Sequence, residues 1–207
     1  SEWIYTNQVL LIRESRSDFY AICLSSFFRV WLQSFSGGKL EGRLRLSITE
    51  SVSKYPLPDF EVLEEGKVAA AAFNKLAVRY SAENGCGLTD VMNAVNTPTN
   101  TEITVVELRN LLATVDAQVA AAYDWADIGI SYDFREFAGG SVNDPWRWAL
   151  SEEVTAEMMH RLTELNRRRF EELSLAEATA PSPAKRGRRS KVAPLVLLND
   201  LFAGENA

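Results

Sequence analysis

The sequence has few of the residues on which nucleophilic catalysis and metal binding usually depend. Its 207 residues include two cysteines, Cys23 and Cys86, and one histidine, His160. Two isolated cysteines can form neither a disulfide framework nor a zinc site, and this usage favours a reducing cytoplasm. A Ser-His-Asp triad would rest on His160 alone, so a structural histidine is the better interpretation. We expect no catalytic residue and no metal ligand in this chain.

Long apolar runs are also absent. No stretch is long enough to cross a bilayer, and the first residues lack the pattern of a signal peptide. The hydrophobic fraction of 46% and the charged fraction of 24% are ordinary for a soluble globular protein. We therefore expect a cytoplasmic protein without a membrane partner. The chain begins at Ser1 and reaches Trp3 and Ile4 at once, which favours a piece of a longer protein or a processed one.

Nucleotide-binding and methyl-transfer motifs are missing too. Gly85 and Gly87 follow a predicted helix and lack the third glycine of a dinucleotide-binding loop, so a helix stop and restart explains them better. The segment 96–98, Asn-Thr-Pro, lacks the second proline of an Asn-Pro-Pro motif. Asp124, Asp127 and Asp133 are close in sequence, but a loop surface is their simplest interpretation. We expect no cofactor site within this chain.

Negative charge is concentrated in the middle of the sequence. The net charge is −6, but residues 1–58 have seven basic and five acidic residues, whereas 59–183 have 10 basic and 21 acidic residues. Residues 184–191 add five basic and no acidic residues. A polyanion would therefore bind at the two ends of the chain.

The hydrophobic pattern predicts an α+β fold with three parts. Residues 1–58 read as a small mixed sheet with one packing helix, 59–178 as a helical region, and 179–207 as a disordered basic linker with an apolar tail. The predicted elements are a strand over 7–14, a helix over 18–35, a Gly turn over 36–39, a strand over 44–49, helices over 60–85, 87–96 and 103–125, an irregular aromatic-rich connection over 130–151, and a last helix from Ser151.

The strand over 44–49 has an apolar face and a polar face, and it ends at the stiff segment 55–58, Tyr-Pro-Leu-Pro. Arginine can pair with guanine in the major groove, while lysine, serine and threonine suit phosphates. The candidate DNA-binding residues are Ser36 and Lys39 in the Gly turn, and Arg43, Arg45, Ser47 and Thr49 on the polar face. A solvated sheet face is the alternative interpretation.

The basic tail is a second candidate for contact with DNA phosphates, through counterion release. Its residues are Lys185, Arg186, Arg188 and Arg189. A solubilising linker is an equally good interpretation. Beyond it, the apolar segment 193–202 can either dock back on the protein or bind a partner.

Several motifs together resemble the C-terminal target-recognition and helical region of large bacterial DNA adenine-N6 methyltransferases, of the type IIG/IIL restriction–modification or phage-defence families. The matching positions are Leu24-Ser25-Ser26 and Trp31, Leu44-Arg45-Leu46-Ser47, Tyr55-Pro56-Leu57-Pro58, "GLTDVMNAVN" at 87–96, "LRNLLATVDAQVAAAYDW" at 108–125, and "RWALSEEVTAEMMHRLTELNRRRFEE" at 147–172 with Leu165-Asn166 and Arg169. The sequence departs from the pattern at Asp124, where glycine is usual, and at Ser47-Ile48, where Tyr-Thr is usual.

The resemblance implies a function and two partners. In the parent enzyme an adenine would be flipped out of the duplex and methylated at N6 with S-adenosylmethionine, and this chain would supply DNA recognition. The partners would be double-stranded DNA and the parent's catalytic domain, whose motifs these 207 residues lack. The alternative, from a different class, is a non-catalytic helical interaction module that recruits a partner protein through its tail.

Overall fold

The computed structural model describes residues 17–35, 39–40, 43–44, 51–141 and 144–179. Its elements confirm an α+β fold, mainly helical, with two small antiparallel hairpins. They are α1 (Ser17–Leu24), α2 (Ser26–Phe35), β1 (Lys39–Leu40), β2 (Arg43–Leu44), α3 (Glu64–Glu83), α4 (Leu88–Asn96), α5 (Ile103–Ala122), β3 (Tyr132–Ser141), β4 (Asp144–Leu150) and α6 (Glu152–Thr179). The predicted strand over 7–14 and the tail from 180 lie outside the described residues.

The long helices α3 and α5 pack antiparallel and form the centre of the helical region. Near the start of α3, a Cβ built on Gly66 would lie 3.1 Å from the Gln118 Cβ, so the two helices approach closely there. Gln118 Nε2 also donates to Glu65 Oε2 at 2.8 Å. At the opposite end of the pair, the Tyr80 hydroxyl donates to Glu102 at 3.2 Å. The helical prediction for these segments is confirmed.

The helix pair has a hydrophobic cluster at each end. One cluster joins α1, α2, the start of α3, the end of α5 and the first half of α6. The other joins the end of α3, the start of α5 and α4. The fully buried side chains that anchor the first cluster include Phe27, Trp31, Val115, Met158 and Leu162. Burying apolar side chains of this size contributes about 1.5–3 kcal/mol each. Both clusters contain residues of α3 and of α5, so both depend on this helix pair.

The first helical segment is divided at Ser25, although the sequence predicts one helix over 18–35. The Ser25 hydroxyl donates to the Ile22 carbonyl at 2.7 Å and accepts from the Phe28 N–H at 3.2 Å. A serine side chain that bonds to the backbone on both sides competes with the regular helix. The next N–H, that of Ser26, donates to Asp116 on α5 at 2.6 Å, so α2 begins on a carboxylate of another helix.

The predicted irregular connection over 130–151 is wrong, because this segment forms the hairpin β3–β4. Tyr132 lies opposite Leu150, and Phe134 lies opposite Trp148. The Tyr132 and Trp148 rings stack 4.1 Å apart, and the Arg109 guanidinium of α5 lies 5.0 Å from the Phe134 ring centre. Apolar residues at every second position therefore form one face of the hairpin, which packs on α5.

The remaining helices follow their predicted ranges. A short 3-10 turn, Phe60–Val62, begins on the Asp59 side chain, which accepts from the Glu61 N–H at 2.9 Å. Gly85 has φ +59°, a conformation that glycine adopts at little cost, and it ends the segment after α3 as expected. The last helix, α6, continues to Thr179, one residue beyond the predicted end of the helical region at 178.

Candidate nucleic-acid interface

Two of the six predicted DNA-binding residues lie in described elements, and they belong to the hairpin β1–β2. Lys39 pairs with Leu44, and Arg43 pairs with Leu40, in antiparallel register. Lys39 therefore lies in a strand and not in the Gly turn that was predicted from the sequence. Four candidates of this group, Ser36, Arg45, Ser47 and Thr49, lie outside the described residues, as do Lys185, Arg186, Arg188 and Arg189 of the tail.

Described residues on the two sides of this hairpin in the sequence contact each other. Trp31, in α2, is buried, and its Nε1 donates to the Ser51 carbonyl at 2.8 Å. The Trp31 ring also meets the Tyr55 ring edge to face, with centres 5.9 Å apart. The helix before the hairpin and the segment that begins at Ser51 thus share one buried contact region.

The Pro-bracketed exit after this segment is held by α5 and α6. The Tyr123 hydroxyl donates to the Pro56 carbonyl at 2.7 Å, and Arg169 Nη1 donates to the Leu57 carbonyl at 2.8 Å. The Asp59 N–H donates to the Ala122 carbonyl at 3.1 Å. Because proline prevents regular sheet or helix pairing of this backbone, its carbonyls depend on side-chain donors from distant helices.

A buried polar network connects α2, α5 and β3. Asp116 is 1% exposed, and its carboxylate accepts from the Ser26 N–H and from the Tyr132 hydroxyl, both at 2.6 Å. Burial raises the pKa of Asp116 above its usual value, while these hydrogen bonds and the Arg29 charge oppose that rise. Arg29 Nη2 donates to the Ser26 hydroxyl at 3.1 Å. Burial also lowers the pKa of Arg29.

Asp124, where the sequence departs from the glycine of the motif pattern, is the second residue after the end of α5. Asp124 has φ +63°, the left-handed region where glycine is favoured. Its N–H donates to the Ala121 carbonyl at 2.8 Å, and the Trp125 N–H donates to the Ala120 carbonyl at 2.9 Å. Asp124 thus occupies a glycine-type position at a helix end.

Three arginines line one cleft of about 370 Å³ between α2 and the hairpin β3–β4. They are Arg29 on α2, Arg135 on β3 and Arg147 on β4, and Arg135 lies directly opposite Arg147 in the register. Arg135 Nη2 donates to the Leu150 carbonyl at 2.5 Å. The charges of Arg147 and Arg135 contribute, after burial, to the lowered pKa of Arg29. The other polar lining residues are Gln33, Asn96, Glu136 and Thr155.

The amino-acid sequence alone did not predict that these three arginines share a cleft. Arg29 is separated from the other two arginines by more than a hundred positions, and no local pattern joins them. The available signal was the alternation in the hairpin: Arg135 follows Phe134, and Arg147 lies between Trp146 and Trp148. The two arginines therefore share the face opposite these rings.

His160 is exposed on α6, and Asp124 is exposed after the end of α5. Asp133 is exposed too, but it lies in β3 and not in the loop expected from the sequence. Asp127 accepts two hydrogen bonds from the Arg161 guanidinium, at 2.6 and 2.8 Å, which lowers the pKa of Asp127. Within the described ranges, no group of three or more His, Cys, Asp or Glu side chains is arranged to hold a metal ion.

Two further findings concern membrane-spanning helices and similarity to known proteins. Among the helices in the part of the chain that the structure describes, none has the length and apolar character needed to cross a membrane. Comparison of the chain with models of known protein families, with curated proteins and with solved structures finds no match.

Proposed function

We propose that this chain is the DNA-recognition part of an S-adenosylmethionine-dependent DNA adenine-N6 methyltransferase of a restriction–modification or phage-defence system. One observation carries the proposal: positions that carry the resemblance contact one another across the fold. Asp116 binds Ser26, Tyr123 binds Pro56, and Arg169 binds Leu57. Motifs that lie far apart in sequence and still bond to each other have the arrangement expected of one recognition unit with its supporting helices.

The place of the hairpin β1–β2 in the chain fits a DNA-contacting role. It lies between α2 and Ser51, and Trp31 of α2 donates to the Ser51 carbonyl. Flipping an adenine costs a few kcal/mol of stacking and pairing, which the flanking contacts must offset. The basic residues between α2 and Ser51, which are Lys39, Arg43 and Arg45, are the candidates for such contacts.

The methyl donor belongs, in this proposal, to the parent's catalytic domain, and the reaction takes place in the bacterial cytoplasm where the DNA is. The glycine pair considered for a nucleotide-binding loop does not fit S-adenosylmethionine. Gly85 and Gly87 connect α3 to α4, whereas a nucleotide-type loop follows a strand. We therefore assign no step of methyl transfer to these residues.

The test uses Arg43→Ala and Arg45→Ala in the complete chain, with DNA binding measured by fluorescence anisotropy on duplex DNA. We expect each substitution to weaken binding by about tenfold, since an arginine–base or arginine–phosphate contact is worth roughly 1–3 kcal/mol. Methylation by the parent enzyme should fall in parallel. Arg79→Ala on α3 is the matched control, because that side chain is 60% exposed on another element. Unchanged affinity and methylation in both variants would contradict the proposal.

A second candidate, the partner-recruiting module, is favoured by the end of α6. Phe170 and Leu175 are 69% and 68% exposed there, next to the tail. In this case a chain lacking residues 181–207 should lose a partner that the complete chain retains in a pull-down, with its DNA binding unaffected. Retention of the partner by the shortened chain would rule this candidate out.

A further inference from the structure

We propose that the cleft between α2 and the hairpin β3–β4 binds a phosphate group through Arg29, Arg135 and Arg147. The identity of the donor molecule rests on the proposed function: in a DNA-recognition protein this group is a phosphate of the DNA backbone. The cleft would be a contact site separate from the predicted residues of the segment 36–49.

Arg135 and Arg147 lie directly opposite each other in the antiparallel register, and both line the cleft. Each guanidinium can donate charged hydrogen bonds to phosphate oxygens. Arg135 is already oriented by its bond to the Leu150 carbonyl, which reduces the freedom lost on binding.

Arg29 lies at the same cleft, on the α2 side, which is opposite the hairpin. Its guanidinium donates to the Ser26 hydroxyl, and Ser26 is fixed in turn by Asp116. Three arginines and one glutamate, Glu136, line the cleft, so its lining carries a formal charge of +2. A chain with a net charge of −6 concentrates positive charge here, which favours an anion as the ligand.

The neutral lining residues also suit phosphate. The Oδ1 atom of Asn96 accepts from the Trp148 N–H at 3.1 Å, so its amide group can offer a ligand N–H donors. Gln33 adds a second amide, and Thr155 adds a hydroxyl. Amides and hydroxyls are common donors to DNA phosphates.

The location of the cleft agrees with a contact to the DNA backbone. Arg29 and Gln33 lie on α2, which ends at Phe35, immediately before the segment predicted to contact DNA. A phosphate held beside α2 would position the duplex relative to that segment without reading its sequence.

The experiment compares the complete chain with the double variant Arg135→Gln, Arg147→Gln, and with Arg79→Gln as the control. Thermal unfolding is followed in sodium phosphate and in sodium chloride of equal ionic strength. DNA binding is then measured on two unrelated duplexes at several salt concentrations. Circular dichroism in phosphate-free buffer checks that the double variant is folded, so that a lost phosphate effect is not a consequence of unfolding.

We expect phosphate to raise the unfolding temperature of the original chain and of the control, and to have no such effect on the double variant. DNA affinity of the double variant should fall about tenfold on both duplexes, and the slope of log K against log salt should decrease by about one. Loss of the phosphate effect with unchanged DNA binding would keep the site and assign it to a free phosphorylated small molecule.

The contrary outcomes separate this inference from the proposed function. If phosphate stabilises the original chain no more than chloride does, and the double variant binds DNA with unchanged affinity and slope, the phosphate site is ruled out. DNA binding that still depends on Arg43 and Arg45 would in that case leave the proposed function intact. A phosphate effect that depends on Arg135 and Arg147 in a chain that binds no duplex would retain the site and refute the proposed function.

Discussion

At the scale of single residues, Asp116 joins three elements of the fold. It caps α2 through the Ser26 N–H, binds the Tyr132 hydroxyl of β3, and lies next to the cation of Arg29. A buried carboxylate is unfavourable unless such partners compensate it. The consequence is that three elements depend on the chemistry of one side chain.

We expect Asp116→Ala to lower the free energy of unfolding by about 3 kcal/mol, because it removes a helix cap and leaves the Ser26 N–H and the Tyr132 hydroxyl without their acceptor. Asp116→Asn should cost roughly 1 kcal/mol, since its Oδ1 still accepts from Ser26. Urea unfolding monitored by circular dichroism measures both values. Equal losses in the two variants would contradict the capping role.

The pH dependence of the free energy of unfolding, compared between the original protein and Asp116→Asn, provides a control. The pKa of Asp116 is raised in the folded state, so the folded protein binds this proton more tightly than the unfolded chain does. Its contribution to stability therefore declines as pH rises above about 4, the unfolded value, and through the folded pKa. The free-energy difference between the original protein and Asp116→Asn should be larger at pH 4 than at pH 7. A difference independent of pH would show that the carboxyl group does not titrate in this range.

At the scale of elements, the helices could be predicted and the second hairpin could not. The stripe of Leu108, Leu112, Val115 and Val119 on α5 repeats every three to four residues, and all four are buried. In the hairpin, Gly139, Gly140 and Pro145 indicated an irregular chain, and each strand shows its alternation only over a few residues. Strand pairing depends on a partner segment, so a local pattern is weaker for a hairpin than for a helix.

Arg109 of α5 connects α4 to the loop after it. Its guanidinium donates to the carbonyls of Val95, Thr97 and Asn100, each at 2.9 Å. We expect Arg109→Ala to lower the free energy of unfolding by about 3 kcal/mol, because these carbonyls lose a charged donor. Arg109→Lys should recover part of the loss, since an ammonium has fewer donors and no fixed planar geometry. The control is Arg79→Ala, for which less than about 0.5 kcal/mol is expected.

At the scale of the whole molecule, the candidate site is assembled from distant parts of the chain. Arg29, Arg135 and Arg147 become neighbours because α2 and the hairpin β3–β4 both pack on α5 through Asp116 and Arg109. The sequence contains the residues but not this juxtaposition, which depends on tertiary packing. The motifs of the resemblance were visible in the sequence, whereas their bonds to one another were not.

The bonds to the exit segment lead to a prediction for the whole protein. Tyr123→Phe combined with Arg169→Met removes the side-chain donors to Pro56 and Leu57, at a cost of about 2 kcal/mol. We expect faster amide hydrogen exchange over residues 51–57 and several-fold weaker DNA binding, although neither side chain contacts DNA in our proposal. Thr163→Ala, which removes an exposed hydroxyl bonded within α6, is the matched control. Exchange rates equal to those of the control would show that these donors do not stabilise the segment.

The long separations within these bonds affect how the protein is made. The hydrogen bond of Ser26 forms with a residue 90 positions later in the chain, and that of Leu57 with a residue 112 positions later. At ribosomal rates of about 5–20 residues per second, the delay between Leu57 and Arg169 is on the order of ten seconds. During that interval the nascent chain carries Phe27, Trp31 and Tyr55 without the helices that later cover them. The protein is therefore expected to need chaperone protection early in its synthesis and to become independent of it once α6 has been translated.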